Sequence, residues 1–206
     1  MRAAAVPTYP FASGVKTISV APGQHIVRVH KLRDKPLWYG PAPGQPPAHR
    51  FDAPAGEYRT LYCADQLKGA FVETVLRKAR RIIGWPFVDA RGWTVLACNR
   101  ELRLAKVFDE GLILHGVTND ICAGDDYSAS QRFAGDLFAK DPRVDGIAYR
   151  ARHNNGEICY AFFDRVGAHE FEEGDHRAFR AERPLVEAIM REHGAVWDPM
   201  TSLPPV

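Results

Sequence analysis

Apolar and polar positions alternate over HIVRVH at 25–30. This period of two predicts a strand showing His25, Val27 and Val29 on one face and Ile26, Arg28 and His30 on the other. Arg28 is then a cation on a strand face, either functional or the solvated arginine of an edge strand. A second strand is predicted at Thr60–Cys63, followed by Asp65 as a helix-start signal and a helix of about five turns. From Leu67, apolar or small residues at 67, 70, 71, 74, 75, 79 and 82 form one stripe at helical spacing. Glu73 falls on its flank beside Ala70. Gly69, one turn earlier, bares the backbone at a cost of ~1 kcal/mol against alanine, which implies a close approach there. Gly84-Trp85-Pro86 ends this helix. Strands at Trp93–Cys98 and Leu102–Val107 read as an antiparallel meander turning at Asn99–Glu101, and Gly111–Leu114 begins a further short element. A helix is predicted over 126–139, broken by Asp141-Pro142. Strands at Gly146–Tyr149 and Cys159–Phe163 follow, with Asn155-Gly156 as the turn between them. A last amphipathic helix runs over 184–193 from Pro184 to Gly194, and the tail is irregular. The N-terminal arm, 1–24, has at most one short strand around Thr17–Val20. Residues 34–48 hold five prolines and two glycines and read as an extended loop carrying Trp38 and Tyr39. The pattern predicts an α+β fold, a mixed and mainly antiparallel sheet with flanking helices, as one domain over 25–206.

Composition narrows the function classes. With 206 residues, 46% hydrophobic and 25% charged, the chain has enough apolar material for one good core. A net charge of +2, without a long Lys/Arg run, argues against nucleic acid as a direct partner. Cys63, Cys98, Cys122 and Cys159 are scattered without a CxxC pair, as expected of reduced, buried thiols in the cytosol. The N-terminus lacks a signal-peptide apolar region, and no apolar run approaches ~20 residues, so a soluble, cytoplasmic protein off the membrane is expected. Dinucleotide and triphosphate glycine loops, HExxH, zinc spacings and GxSxG are all missing. The segment His169–His176 reads as a charged surface loop rather than a metal site.

Arg28, Arg50, Tyr62 and Glu73 remain. Arginines bind pyrophosphate in a bidentate fashion, and a tyrosine ring stacks on a planar base. A carboxylate holds ribose hydroxyls and stabilises the positive charge that develops at an anomeric carbon. The plain reading of the same residues is a solvated Glu73–Arg77 pair at i,i+4, Tyr62 as a core aromatic and Arg50 as a loop charge.

The order of motifs resembles the RES-domain family, toxins of RES–Xre type toxin–antitoxin systems. The matching pieces are VRVH at 27–30, HRFDAP at 49–54, TLYCAD at 60–65, GAFVET at 69–74, DYSASQRFA at 126–134 and DGIAYRARHNNGEICYAFFDR at 145–165. The resemblance implies a fold similar to ADP-ribosyltransferases and an NAD-degrading activity, glycohydrolase or phosphorylase, that cleaves the nicotinamide–ribose bond. Alternatives within the same implication are a protein ADP-ribosyltransferase and a non-catalytic nucleotide- or antitoxin-binding module. Arg50, Glu73 and Tyr62 take the catalytic positions, and Arg28 joins them in the NAD pocket. Ala151 stands where the family serine is expected, leaving its role to water, Ser128, Arg152 or His153. No cofactor is implied beyond NAD as substrate. A helix-turn-helix antitoxin is the implied partner, and a homo-oligomer stays open.

Overall fold

The structure, a computed structural model, describes residues 9, 11, 14–40, 44–77 and 81–201. Its strands are β1 (Thr17–Val20), β2 (His25–Lys31), β3 (Thr60–Ala64), β4 (Ile82–Ile83), β5 (Arg91–Cys98), β6 (Leu102–Val107), β7 (Gly146–Ala151), β8 (Asn154–Phe163), β9 (Phe171–Ala178) and β10 (Val196–Trp197). Its helices are α1 (Leu67–Thr74), α2 (Trp85–Asp89), α3 (Glu110–Leu114), α4 (Asp120–Ala123), α5 (Ser128–Lys140) and α6 (Arg183–Glu192). The main sheet has eight strands in the order β1-β6-β7-β8-β3-β2-β5-β9, with β10 and β4 forming a separate pair. Within the main sheet β6 and β7 run parallel and the other neighbours antiparallel, the mixed, mainly antiparallel arrangement expected of the sequence.

The expected meander is overturned. β5 and β6 follow each other in the chain, yet β5 pairs with β2 and β9 while β6 pairs with β1 and β7. They stand five steps apart in the strand order, about 24 Å across a flat sheet at ~4.8 Å per step. The link 99–101 spans only about 14 Å even when fully extended. The sheet therefore folds over on itself. The enclosed face is a second core of Val20, Ile26, Leu61, Cys63, Leu96, Leu102, Leu104 and Phe162. The opposite face carries the larger core, in which Phe51, Ile147, Tyr149 and Phe163 meet Phe71 and Val72 of α1, Phe133 and Leu137 of α5, and Ile189 of α6. Strand β5 shows the pattern that drives this, with every second residue buried from Gly92 to Cys98. Tyr9 and Phe11 join the larger core, where both rings pack against Phe133.

Several local expectations change for physical reasons. The predicted five-turn helix is the two-turn α1. Val72, Thr74 and Val75 are β-branched and disfavour its continuation. Side chains then take the carbonyls beyond it, Arg81 Nη1 donating to Leu76 O at 3.1 Å and His153 Nε2 lying 3.1 Å from Arg77 O. Positions 78–80 of the stripe lie outside the described residues. Ile82 and Ile83 belong to β4, and Gly84-Trp85-Pro86 opens α2 with proline in its first turn instead of closing a helix. Asp65 does not cap α1, whose N-cap is Gln66. Its carboxylate instead accepts from Gln24 and Tyr160. The β7–β8 turn is at Arg152-His153, because Ala151 pairs with Asn154, so Asn155 and Gly156 lie within β8. The expected loop over His169–His176 is a short turn followed by most of edge strand β9, exposed from Glu172 to Arg177. Its acidic residues suit an edge that must resist pairing with other chains.

Helices α5 and α6 follow the predicted spans, and Gly194 ends α6 with φ +62. The close approach implied by Gly69 comes from the chain itself: a Cβ there would meet Glu157 Cβ at 3.0 Å and Ala64 Cβ at 3.3 Å. Gly69 is what lets α1 lie against β8 and β3. No helix among the described residues is long and apolar enough to cross a membrane.

Candidate active site

The HRFD segment is locked before it contributes any chemistry. Asp52 Oδ2 accepts from the backbone N–H groups of Ala48 at 2.9 Å and His49 at 2.8 Å, tying the side chain back onto the residues before it. The carbonyl of Phe51 accepts from Tyr58 at 3.0 Å and Thr60 at 3.2 Å. Tyr62, on β3, donates its hydroxyl to Asp52 Oδ1 at 3.0 Å and accepts from Phe51 N–H at 2.9 Å. Burial and the neighbouring Asp52 push the Tyr62 phenol well above its ordinary pKa. Its hydroxyl is therefore an anchor, unsuited to proton transfer at neutral pH, and its ring is the part left for contact. That ring packs edge-on against His49 at 5.5 Å.

Arg50 is buried on this turn. Its Nη1 donates to Gly124 O at 3.0 Å and Ile121 O at 3.4 Å, and its guanidinium lies 4.6 Å from the centre of the Tyr127 ring. The plain reading of Arg50 as a loop charge is thereby overturned. Arg77 is not the exposed partner of Glu73 either. Its Nη1 lies 3.0 Å from His49 Nδ1, and its guanidinium is 5.9 Å from the same Tyr127 ring. An arginine only donates, so His49 Nδ1 accepts and the ring is neutral. Burial and then the charges of Arg77, Lys31 and Arg28 hold the His49 pKa below its ordinary value, against the pull of Asp52.

Glu73 stands on α1 facing this cluster. Its Oε1 accepts from the backbone N–H of Arg152 at 2.8 Å. Burial raises its carboxyl pKa, opposed by that hydrogen bond and by the charges of Arg50, Arg77 and Arg152. Arg152 pairs in turn with Asp125 at 2.7 Å. Ala151, fully buried, precedes Arg152 in the chain. It joins Ile147 and Tyr149 in the larger core, the core that α1 also enters. Ser128 is bonded to Asp126.

The structure thus brings Arg50, Tyr62 and Glu73 together and seats Ala151 beside the N–H that holds Glu73. Arg28 stands apart from them. It is interior to the sheet, because β2 is flanked by β3 and β5, so the edge-strand reading fails. Burial lowers its pKa, and the charges that act on it come from Cys63, Tyr39 and Asp34. Its Nη1 is buried without a hydrogen-bond partner among the described residues. Such a donor is costly to leave unmatched, and an anion would satisfy it.

Sequence reasoning missed His49, Asp52 and Tyr127. The first and second sit inside the quoted HRFDAP motif, where their residue types were signal enough. Tyr127 enters the site through ring contacts with Arg50 and Arg77, far from it in the chain, which no spacing rule reaches. The cysteines take no part. Burial pushes Cys63 and Cys122 up to about 12 and Cys98 up to about 11, and Cys159 rises well above its ordinary value. None of the four is a thiolate nucleophile at neutral pH.

A family model for the RES domain matches residues 25–182, a stretch holding Arg28 and every member of this cluster from His49 to His153. The chain belongs to the RES domain family. No curated protein matches it. Among solved structures, this RES domain is similar to a chain of the crystal structure of the M. tuberculosis MbcT-MbcA toxin-antitoxin complex. The TM-score is 0.60 at 17% sequence identity, over 77% of this chain and 85% of that one. At this identity the likeness speaks for the fold, which the two chains share.

Proposed function

We propose that this RES domain is the toxin of a toxin–antitoxin pair and cleaves the nicotinamide–ribose bond of NAD, passing the ribosyl carbon to water or phosphate. The observation that carries the reading is the Glu73 carboxylate, fixed by the Arg152 N–H at 2.8 Å and facing two arginines gathered under one tyrosine ring. In this reading Arg50 binds the pyrophosphate, while Arg28, whose neighbours Cys63 and Tyr39 belong to the second core on the other face of the sheet, lies outside the pocket. Tyr62 presents its ring to the nicotinamide side. As the C1′–N bond breaks, its electron pair goes to the nicotinamide nitrogen and the ribose becomes oxocarbenium-like. Glu73 stabilises that charge and holds the ribose hydroxyls. NAD enters as substrate, with no further cofactor. The toxin role and an antitoxin partner, expected to be of the helix-turn-helix kind, draw support from family membership and from the complex in which the similar fold occurs. The direct experiment follows nicotinamide release from NAD by the purified chain; no release above the uncatalysed rate would contradict the proposal.

Ala151 offers a second test. A hydroxyl restored beside the Glu73–Arg152 hydrogen bond adds one oxygen to a fully buried position. If it completes the family's site, Ala151→Ser raises kcat for NAD by about 2- to 12-fold, the worth of one neutral hydrogen bond formed in the transition state, with KM within a few-fold. An inert or slower variant would mean that the site is built around the alanine. Tight NAD binding without turnover in both forms would instead favour the binding-module reading.

A further inference from the structure

The segment Gly124–Tyr127, between α4 and α5, touches three cations of the site. Gly124 O takes Arg50 Nη1 at 3.0 Å, Asp125 pairs with Arg152 at 2.7 Å, and the Tyr127 ring lies 4.6 Å from the Arg50 guanidinium and 5.9 Å from that of Arg77. Two like charges under one ring need a reason to stay together. The negative face of the ring attracts both, within the ~6 Å over which such contacts operate. Each arginine also has its Nη1 tied elsewhere, Arg50 to Gly124 and Ile121 and Arg77 to His49. With Nη1 tied and the ring alongside, each guanidinium has little freedom to rotate, and both bear on the Glu73 carboxylate.

We infer that Tyr127 is a positioning residue that holds Arg50 and Arg77 as a paired cradle for an anionic group of the substrate. The inference rests on the NAD reading for the identity of that group, its pyrophosphate, but the paired cradle itself needs only an anion. Tyr127 acts through the arginines and touches no reacting atom. The quadrupole of its ring is what matters, so phenylalanine replaces it and an aliphatic side chain does not.

The test compares wild type, Tyr127→Phe and Tyr127→Leu for kcat and KM with NAD and for affinity toward inorganic pyrophosphate, with thermal midpoints as a folding control. Tyr127→Leu is expected to weaken both NAD and pyrophosphate by about 3- to 30-fold while kcat stays within about threefold. Tyr127→Phe is expected to stay within about twofold of wild type on every measure. Equal losses in the two variants, or a fall in kcat as large as the rise in KM, would overturn the inference. If wild type releases no nicotinamide, the NAD reading fails separately and pyrophosphate affinity decides. A loss in Tyr127→Leu but not Tyr127→Phe then sustains the cradle, and unchanged affinity removes it.

Discussion

Glu73→Gln is expected to keep the fold and lose nicotinamide release from NAD by a factor of about 10²–10³, equivalent to ~3–4 kcal/mol of transition-state stabilisation. The amide still accepts the Arg152 N–H, so the geometry around the side chain survives. What disappears is the negative charge opposite a developing cation. The raised pKa of Glu73 adds a pH signature. Cleavage needs the ionised form, so the acid limb of the rate profile is expected above the ordinary glutamate value of about 4.3. The stability consequence has the opposite sense. A carboxyl whose native pKa is raised binds its proton more tightly folded than unfolded, so stability falls as pH rises through that native pKa. Glu73→Gln removes this cost, and its thermal midpoint at neutral pH is expected to equal or exceed that of wild type. Activity within threefold of wild type would take Glu73 out of the mechanism.

Arg50→Ala is expected to raise KM for NAD by about 12- to 150-fold, the range of a charge-assisted hydrogen bond worth ~1.5–3 kcal/mol. The arginine is buried and bridges to Ile121 and Gly124, so its removal also unties the α4–α5 segment. Arg50→Lys separates the two effects. It keeps the charge but loses the planar fork, and is expected to fall between wild type and alanine in KM with a smaller loss of stability. Arg77→Ala would cost only a few tenths of a kcal/mol if Arg77 formed an exposed helix pair with Glu73. Its contacts with His49 and Tyr127 place it beside Arg50 in the cluster, so a measurable rise in KM is expected, smaller than that of Arg50→Ala. Paired kinetics and melting curves check the set. Wild-type KM in Arg50→Ala would contradict the assignment.

Sequence patterns made the strands legible where burial alternates, as in β5, and the helices legible where one stripe persists, as in α5 and α6. They misread pairing, because a short link between β5 and β6 looks like a hairpin while the sheet curls to bring distant strands together. They also misread the end of α1. The apolar stripe runs on past Thr74, but Val75 stands in a turn and Ile82 in β4, which pairs with β10 more than a hundred residues later. Within the site, the residue types of Arg50, Tyr62 and Glu73 were enough to suggest their chemistry. Their partners were not readable. The Asp52 anchor on Tyr62, the Arg152 amide on Glu73 and the Tyr127 ring over Arg50 are all contacts of tertiary structure.

The deciding question is whether the bond cleaved is the nicotinamide–ribose bond of NAD. Purified protein is incubated with NAD labelled in the adenosine half, with and without phosphate, and nicotinamide and every labelled product are quantified together. The expected result is one free nicotinamide for each NAD lost, with all the label in small molecules as ADP-ribose or its phosphate ester. Intact NAD after prolonged incubation, or label recovered on protein in amounts matching the nicotinamide released, would contradict it.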